Sequence, residues 1–588
     1  MSARITSSAG SSFRSSVNAT AVDDPATGAW LDDFFAAYYR RRPVNATFIG
    51  VHDHPATLPD LSERALGDTV TEMQELLRRL PAPPREPLGS AQSTDRALAA
   101  GFLEIQLWEY GSTHFQRGNP SFYTGEAIFG VLSHFLMRSA PPAERVAAAT
   151  GRLQAVPDLL TQAKANVHAA PAAWTERALR ECTGATAFLI SGVDALVRDE
   201  RAGTPAFAEA ARAAAAAFDD LRSYLTNELM RHDTGRYACG AEAFALLLRR
   251  GHFFERDADE IARWAEDEMR EAEADLEAHA AEAGATTWRG ALALLADHHP
   301  SAAGYYRRFD EVRDECRAEV ERHRLITWVD RPVRFVPQPA WAREAAPYLY
   351  FLPYRSPPSF GAPAQHDYLV APIDAATPAD RAGRILREQN DSVIKLNHVV
   401  HHGSVGHHFQ NWHASSAASR IGRVAAVDCA SRLAFFCAGT MAEGWATYAT
   451  QLLAETDLLS PLERMSARHG RLRAAARAFV DVRLHEGRLS LGDAARLYEE
   501  RVGMSAAAAR SEAVKNSMFP GAGLIYLAGS DLIRRLRDRV AVRQGSTFEL
   551  RTFHDRLLKQ GSLPIALITP EMLAPDQEPA APVRRPGA

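Results

Sequence analysis

Six of the chain's 21 histidines fall in the run Asn397–His413, NHVVHHGSVGHHFQNWH: His398, His401, His402, His407, His408 and His413. Imidazole is the commonest side-chain ligand for zinc, copper, iron and nickel, so this density away from either terminus points to metal binding. Two spacings compete. His398 and His402 stand four apart, on one face of a helix, as in an HExxH metallopeptidase helix, but Val399 holds the place of its glutamate. His401 and His407 are six apart, on different faces of a straight helix; Gly403 and Gly406 between them permit a break that joins them. The natural further ligand is Glu443 in MAEGWATY, 36 residues beyond His407. Two imidazoles and a carboxylate around an open position make a catalytic zinc set. Such an ion polarises a carbonyl or lowers the pKa of bound water.

Long helices must position these residues. Trp30, Phe34, Phe35 and Tyr38 recur at helical spacing from about Ala29. Segments 92–117, 140–168, 170–198 and 203–230 are rich in Ala, Leu, Arg and Glu and read as helices, with Pro-rich breaks at Pro81–Pro87 and Pro141–Pro142. Asp257–Glu282 is strongly acidic and reads as a solvated helix with an apolar stripe of Ile261, Trp264, Met269, Ala272 and Leu276. Between Ile326 and Asp374, Val329, Val333, Phe335, Tyr348–Leu352 and Tyr368–Val370 sit among many prolines, predicting a small β insert over 326–374. Helical patterning resumes near Arg381 and runs almost to Pro570. The class is therefore mainly α. Residues 1–28 and 573–588 read as tails, and 29–572 as one helical domain.

Composition removes several alternatives. The net charge of −5, with both signs interspersed, lacks the basic footprint that nucleic acid requires. No apolar run approaches the ~20 residues that span a bilayer. Five scattered cysteines (Cys182, Cys239, Cys316, Cys429, Cys437) form no CxxC pair and suit free thiols in a reducing cytoplasm. Neither a GxSxG elbow nor a phosphate-binding or dinucleotide loop is present.

The motifs resemble the family catalogued as domain of unknown function 885, itself similar to helical, cleft-forming zinc metallopeptidases. Its signature, H-E-x-x-P-G-H-H-x-Q followed by E-G-W-A-x-Y, is matched by His401-His402-Gly403-Ser404-Val405-Gly406-His407-His408-Phe409-Gln410 and by Glu443-Gly444-Trp445-Ala446-Thr447-Tyr448. Pro43, Thr47 and Gly50 fit its opening element. Phe519-Pro520-Gly521 with Tyr526, Phe553-His554-Asp555 and Gly561-Ser562-Leu563-Pro564 fit its closing ones. His402 stands where the signature has Glu, Val405 where it has Pro and Ala522 where it has Gln.

The resemblance implies a two-lobed, zincin-like fold around a deep cleft, and it favours His401, His407 and Glu443 as ligands of a divalent metal, zinc with iron as the alternative. It implies hydrolysis of a peptide or small amide. Losing a general base costs about 10²–10⁴ in rate, and His402 is the residue to replace it, with Tyr526 or His554 donating to the developing oxyanion. The alternatives are a repurposed metalloenzyme of specialised metabolism, and an inactive pseudopeptidase that binds rather than cleaves. A small-molecule or peptide substrate is the expected partner; the oligomeric state is not legible. Two further features stand out. Arg471, Arg473, Arg477 and Arg483 recur on one helix, as carboxylate-recognising groups or as a solvated face. His485, after Asp481 and Arg483, is a candidate support for the metal ligands.

Overall fold

The computed structural model describes residues 24–83, 90–331, 333–343, 345–349, 356–361, 365–425 and 434–574. Within them the chain is mainly α-helical. The first helix runs Pro25–Arg41, starting ahead of Ala29 because the Asp24 carboxylate accepts the Thr27 backbone N–H and Pro25 fills the first helical position. Trp30, Phe34, Phe35 and Tyr38 are all buried, as their spacing requires. Helices follow at Ala91–Gly111, Pro142–Asn166, Ala172–Ala187 and Pro205–Asn227, close to the expected segments. The third of these passes through a π-turn, Phe188–Gly192, before ending at Glu200. Part of the Pro81–Pro87 break and both expected tails lie largely outside the described residues.

The β insert is a two-stranded parallel pair, β1 (Val333–Pro337) and β2 (His366–Val370), in register from Val333 opposite His366 to Pro337 opposite Val370. The stretch Tyr348–Leu352 does not add a strand: Tyr348 and Leu349 lie in turns, and 350–352 are outside the described residues. Tyr368 of β2 is completely buried beneath the histidine-rich segment.

Asp257–Glu282 forms the helix Ala258–His279, opened by a reciprocal capping box between Asp257 and Glu260. Its Ile261, Met269, Ala272 and Leu276 are buried, while Trp264 is half-buried beneath Arg256. The acidic face is solvated as expected, with Glu260, Glu266, Asp267 and Glu277 exposed, but part of it also meets bases. Glu268 and Glu271 pair with Arg471, Asp259 with Arg483 and Glu273 with Arg501, so much of the acid faces basic neighbours.

Apolar side chains gather into two large clusters. One holds the N-terminal helices, the strands, Val399, Val400 and Trp445; the other holds Met269, Leu472, Val480, Tyr498 and Ile525. They meet where helices Gly439–Ala454 and Ile525–Gln544 cross. A Cβ on Gly444 would lie 2.5 Å from the Gly529 Cα, so both positions require glycine for this approach. No helix among the described residues is long and apolar enough to cross a membrane.

Candidate metal centre

The histidine-rich run is not a straight helix. Ile394–Gly403 is a π-helix, and a separate helix, His407–Ala414, begins after a short break. Gly406 makes the break possible: its N–H donates to the Val400 carbonyl at 2.9 Å, and a Cβ there would lie 2.0 Å from the His401 carbonyl oxygen. The Trp445 indole N–H donates to the Val405 carbonyl at 2.8 Å and holds the same turn from the other side. The chain therefore doubles back and brings His407 onto His401, their ring centroids 4.9 Å apart.

Glu443 arrives on the helix Gly439–Ala454. Its Oε2 lies 3.5 Å from His401 Nε2 and 3.4 Å from His407 Nε2. These separations exceed the usual ~2.7–3.2 Å of an N–H···O hydrogen bond. They match the roughly 3.3–3.4 Å expected between neighbouring donors of a tetrahedral ion with bonds of about 2.0–2.1 Å. Oε2 is shielded from water and accepts no hydrogen bond among the described residues. Oε1 accepts from the Tyr526 hydroxyl at 3.1 Å, which fixes the rotation of the carboxylate. Burial alone would raise the Glu443 pKa, but the facing His407 and His401 rings outweigh it and hold the group well below the usual carboxylate range. Burial lowers the His401 pKa, and lowers that of His402 further with help from its histidine neighbours. Neutral imidazoles beside an ionised carboxylate are the protonation states that ligate a cation.

His402 joins the group: one ligand atom from each of His401, His402 and His407 lies within 4.8 Å of the others. Its Nδ1 donates to the Asn397 carbonyl at 2.7 Å, with the Tyr368 hydroxyl 3.5 Å away. That fixes the tautomer, with the ring proton on Nδ1. The competing pair of His398 with His402 does not form. Both His398 nitrogens are engaged, Nδ1 with the Tyr368 hydroxyl at 2.6 Å and Nε2 with Gln389 Oε1. His408 is likewise committed, to the Arg331 carbonyl at 2.6 Å.

Tyr526 and His554 part company. Tyr526 touches Glu443, whereas His554 is completely buried with Nδ1 donating to the Leu325 carbonyl at 2.6 Å and Nε2 accepting from the Tyr448 hydroxyl at 2.9 Å. Both of its nitrogens are consumed in joining three chain segments, so it offers no proton to the cluster. His485 also does not reach the cluster; its Nε2 donates to the Asn516 carbonyl at 3.0 Å and its Nδ1 accepts from the Cys239 N–H.

Sequence reasoning missed two supports. Tyr368 carries only a strand signal in the sequence, yet its hydroxyl spans His398 and His402. Asp481, on the helix Pro461–His485, accepts the backbone N–H groups of Gly521, Gly523 and Leu524 at 3.0, 2.8 and 3.0 Å. It thereby clamps the turn that launches the helix bearing Tyr526. The signal for it was present: a lone acid among buried alanines and valines, upstream of a Gly-rich turn.

A profile of the family described as a bacterial protein of unknown function, DUF885, matches residues 43–572. The chain belongs to this family. Its fold is shared with a "putative lipoprotein of unknown function" from Shewanella oneidensis, at TM-score 0.72 and 18% identity over 93% of this chain and 99% of that one. A "putative lipoprotein" from Colwellia psychrerythraea matches at TM-score 0.73 and 15% identity over 93% and 98% of the two chains. No curated protein matches the sequence significantly. In this DUF885 chain the closing elements serve as braces. Gln410 donates to the Ser562 hydroxyl, and Asp555 accepts the Thr327 N–H at 3.0 Å and its hydroxyl at 2.5 Å.

Proposed function

We propose that His401, His407 and Glu443 hold a divalent cation, zinc in the first instance, and that the protein is a metal-dependent hydrolase of a peptide or small amide bond. The observation that carries this reading is the Glu443 Oε2 atom, shielded and without a hydrogen bond, at ligand spacing from two imidazole nitrogens. A buried carboxylate oxygen left without a donor costs free energy, and a cation removes that cost. When bound, the ion supplies Lewis-acid chemistry, polarising a carbonyl and acidifying water.

The chain's own residues supply the rest. His402 stands where the family signature has its glutamate; held by the Asn397 carbonyl through Nδ1, its ring lies beside the ligands as the candidate base. Its depressed pKa keeps the imidazole neutral at neutral pH. Tyr526 orients Glu443 and brings a hydroxyl beside the cluster that could donate to a developing oxyanion. A two-lobed, zincin-like arrangement with the substrate between the lobes suits the position of these residues where the two apolar clusters meet.

A second reading rests on the closeness of His402 to His401 and His407. With His402 as a third imidazole ligand the site lacks a side-chain base, and iron or copper with non-hydrolytic chemistry, or binding without turnover, becomes the better description. We propose the cytoplasm as the compartment, since the described cysteines Cys182, Cys239, Cys316 and Cys437 are unpaired. The lipoprotein designation of the solved neighbours points instead to the cell envelope, and cell fractionation decides between them. The test of function is release of amine from a mixed-sequence peptide library by the zinc-loaded protein. Hydrolysis that stops with chelator and falls about 10²–10⁴-fold in His402→Ala supports the first reading. Stoichiometric metal with no cleavage, and metal affinity weakened in His402→Ala, supports the second.

A further inference from the structure

Of the four arginines that recur on the helix Pro461–His485, Arg473 is exposed, as a solvated face requires, while Arg471 and Arg483 reach acids of the helix Ala258–His279. Arg477 is different. Its guanidinium makes a two-point bridge at 2.7 and 3.1 Å to Glu512, on the helix Ala506–Met518, and each side chain of the pair is only 13% exposed. The same guanidinium lies over the Tyr526 ring, its carbon 4.7 Å from the ring centre. Tyr526 in turn donates its hydroxyl to Glu443 Oε1 at 3.1 Å. A continuous row of contacts therefore runs from Glu512 through Arg477 and Tyr526 to the candidate ligand.

The same helix also holds the backbone that carries Tyr526. One turn beyond Arg477, on the same face, Asp481 accepts the N–H groups of Gly521, Gly523 and Leu524. Gly523 approaches so closely that a Cβ there would lie 2.7 Å from the Arg477 carbonyl oxygen and 2.9 Å from the Asp481 Cβ. One helix thus sets both the chain ahead of Tyr526 and the plane of its ring. The plane matters because a phenolic O–H lies close to it, and a hydrogen bond weakens steeply as its donor turns away from the acceptor. A guanidinium is attracted to an aromatic face. Pinned by Glu512, this one cannot follow the ring, so the ring must follow it.

We propose that Arg477 is a positioning residue for the candidate metal ligand Glu443, acting through Tyr526. The inference rests on the metal reading of His401, His407 and Glu443 and adds the group that keeps the carboxylate aimed. With Oε1 held by the hydroxyl, Oε2 stays turned towards the two imidazoles, 3.5 and 3.4 Å from their Nε2 atoms. Groups that orient a ligand in this way tune metal affinity without touching the ion. The effect of Arg477 on the metal passes through one hydroxyl.

Zinc affinity of the full chain, measured by competition with a chelating dye, isolates that path. Tyr526→Phe keeps a ring beneath Arg477 but removes the hydroxyl, and should weaken zinc about 10- to 100-fold. Arg477→Met combined with Glu512→Met replaces the buried pair by apolar groups, a change such pairs tolerate, and should weaken zinc about tenfold. Adding Tyr526→Phe to that combination should weaken zinc no further than Tyr526→Phe does alone. Arg477→Lys, which keeps a cation but loses the planar fork, should fall between wild type and the methionine combination. Circular dichroism reports the fold; should the combination unfold, Arg477→Lys with and without Tyr526→Phe supplies the same comparison. Zinc affinity unchanged by loss of the pair, or losses that multiply when Tyr526→Phe is added, overturns the proposal and leaves the metal centre standing. A wild type that takes up no zinc overturns the metal centre, and this inference with it.

Discussion

Replacing Glu443 by alanine should leave the metal-free protein about as stable as before while removing its gain from zinc. In the metal-free state Oε2 is a shielded acceptor with no donor, which costs about 1–3 kcal/mol. Alanine relieves that cost. Against it stand the Tyr526 hydrogen bond, worth about 0.5–1.5 kcal/mol and partly replaceable by water because Tyr526 is only half-buried, and the attraction of the facing His401 and His407 rings. The opposing contributions are of the same order. Zinc at 1,000 times its Kd should stabilise wild type by about 4 kcal/mol. At about 2.1 cal/mol/K per residue, a chain of 588 residues unfolds with an entropy of about 1.2 kcal/mol/K, so Tm should rise by about 3 °C. Differential scanning calorimetry of chelator-treated protein, with and without zinc chloride, reads both quantities, with exposed Glu277→Ala as the control. Glu443→Ala melting within about 1 °C of wild type without metal, and unmoved by zinc, is the expected pattern. A variant that melts several degrees low without metal yet keeps the full zinc shift would refute the reasoning, because Glu443 would then be a structural acceptor and no ligand.

Acid should unfold the protein steeply. Burial pushes His252, His469, His485 and His554 down to about 4, so each stays neutral in the fold while the unfolded chain takes up protons near pH 6.5. Their stability is complete above pH 6.5 and is lost as pH falls towards 4, each contributing up to about 3 kcal/mol; urea midpoints that stay level from pH 7 to pH 4.5 would contradict this. Gly444→Ala drives a Cβ to 2.5 Å from the Gly529 Cα and should cost about 1–3 kcal/mol, read as a lower urea midpoint at unchanged m. Asp481→Ala strips the acceptor from three buried N–H groups ahead of Tyr526 and should cost about 3 kcal/mol or more. It should also weaken zinc binding by about tenfold in a competition titration with a chelating dye. Unchanged affinity would separate the clamp from the metal site.

Local signals carried far into this structure. Periodicity located the long helices, prolines located the β pair, and Gly403 with Gly406 announced the break that joins His401 to His407. The spacing argument for His398 with His402 failed because the backbone there is a π-helix, and because Gln389 and Tyr368 satisfy both His398 nitrogens from elsewhere in the chain. His554 looked like a proton donor in its motif, yet its partners Leu325 and Tyr448 lie 229 and 106 residues away and no local pattern reveals them. The acidic helix hides partners for the same reason: beside its solvated face, some of its charges meet Arg471 and Arg483 across a contact that only the tertiary fold creates. Sequence named the candidate ligands that the fold brings together; the residues that orient them emerge from packing.

The central claim, that His401, His407 and Glu443 bind a cation, meets its most direct test in the metal content of the purified, untagged protein. Inductively coupled plasma mass spectrometry on wild type and Glu443→Ala, each after exposure to equimolar zinc and iron and gel filtration, supplies the number. A metal centre gives close to one equivalent of a single ion in wild type and almost none in the variant. A wild type that remains metal-free, or a variant that carries as much metal as wild type, contradicts it.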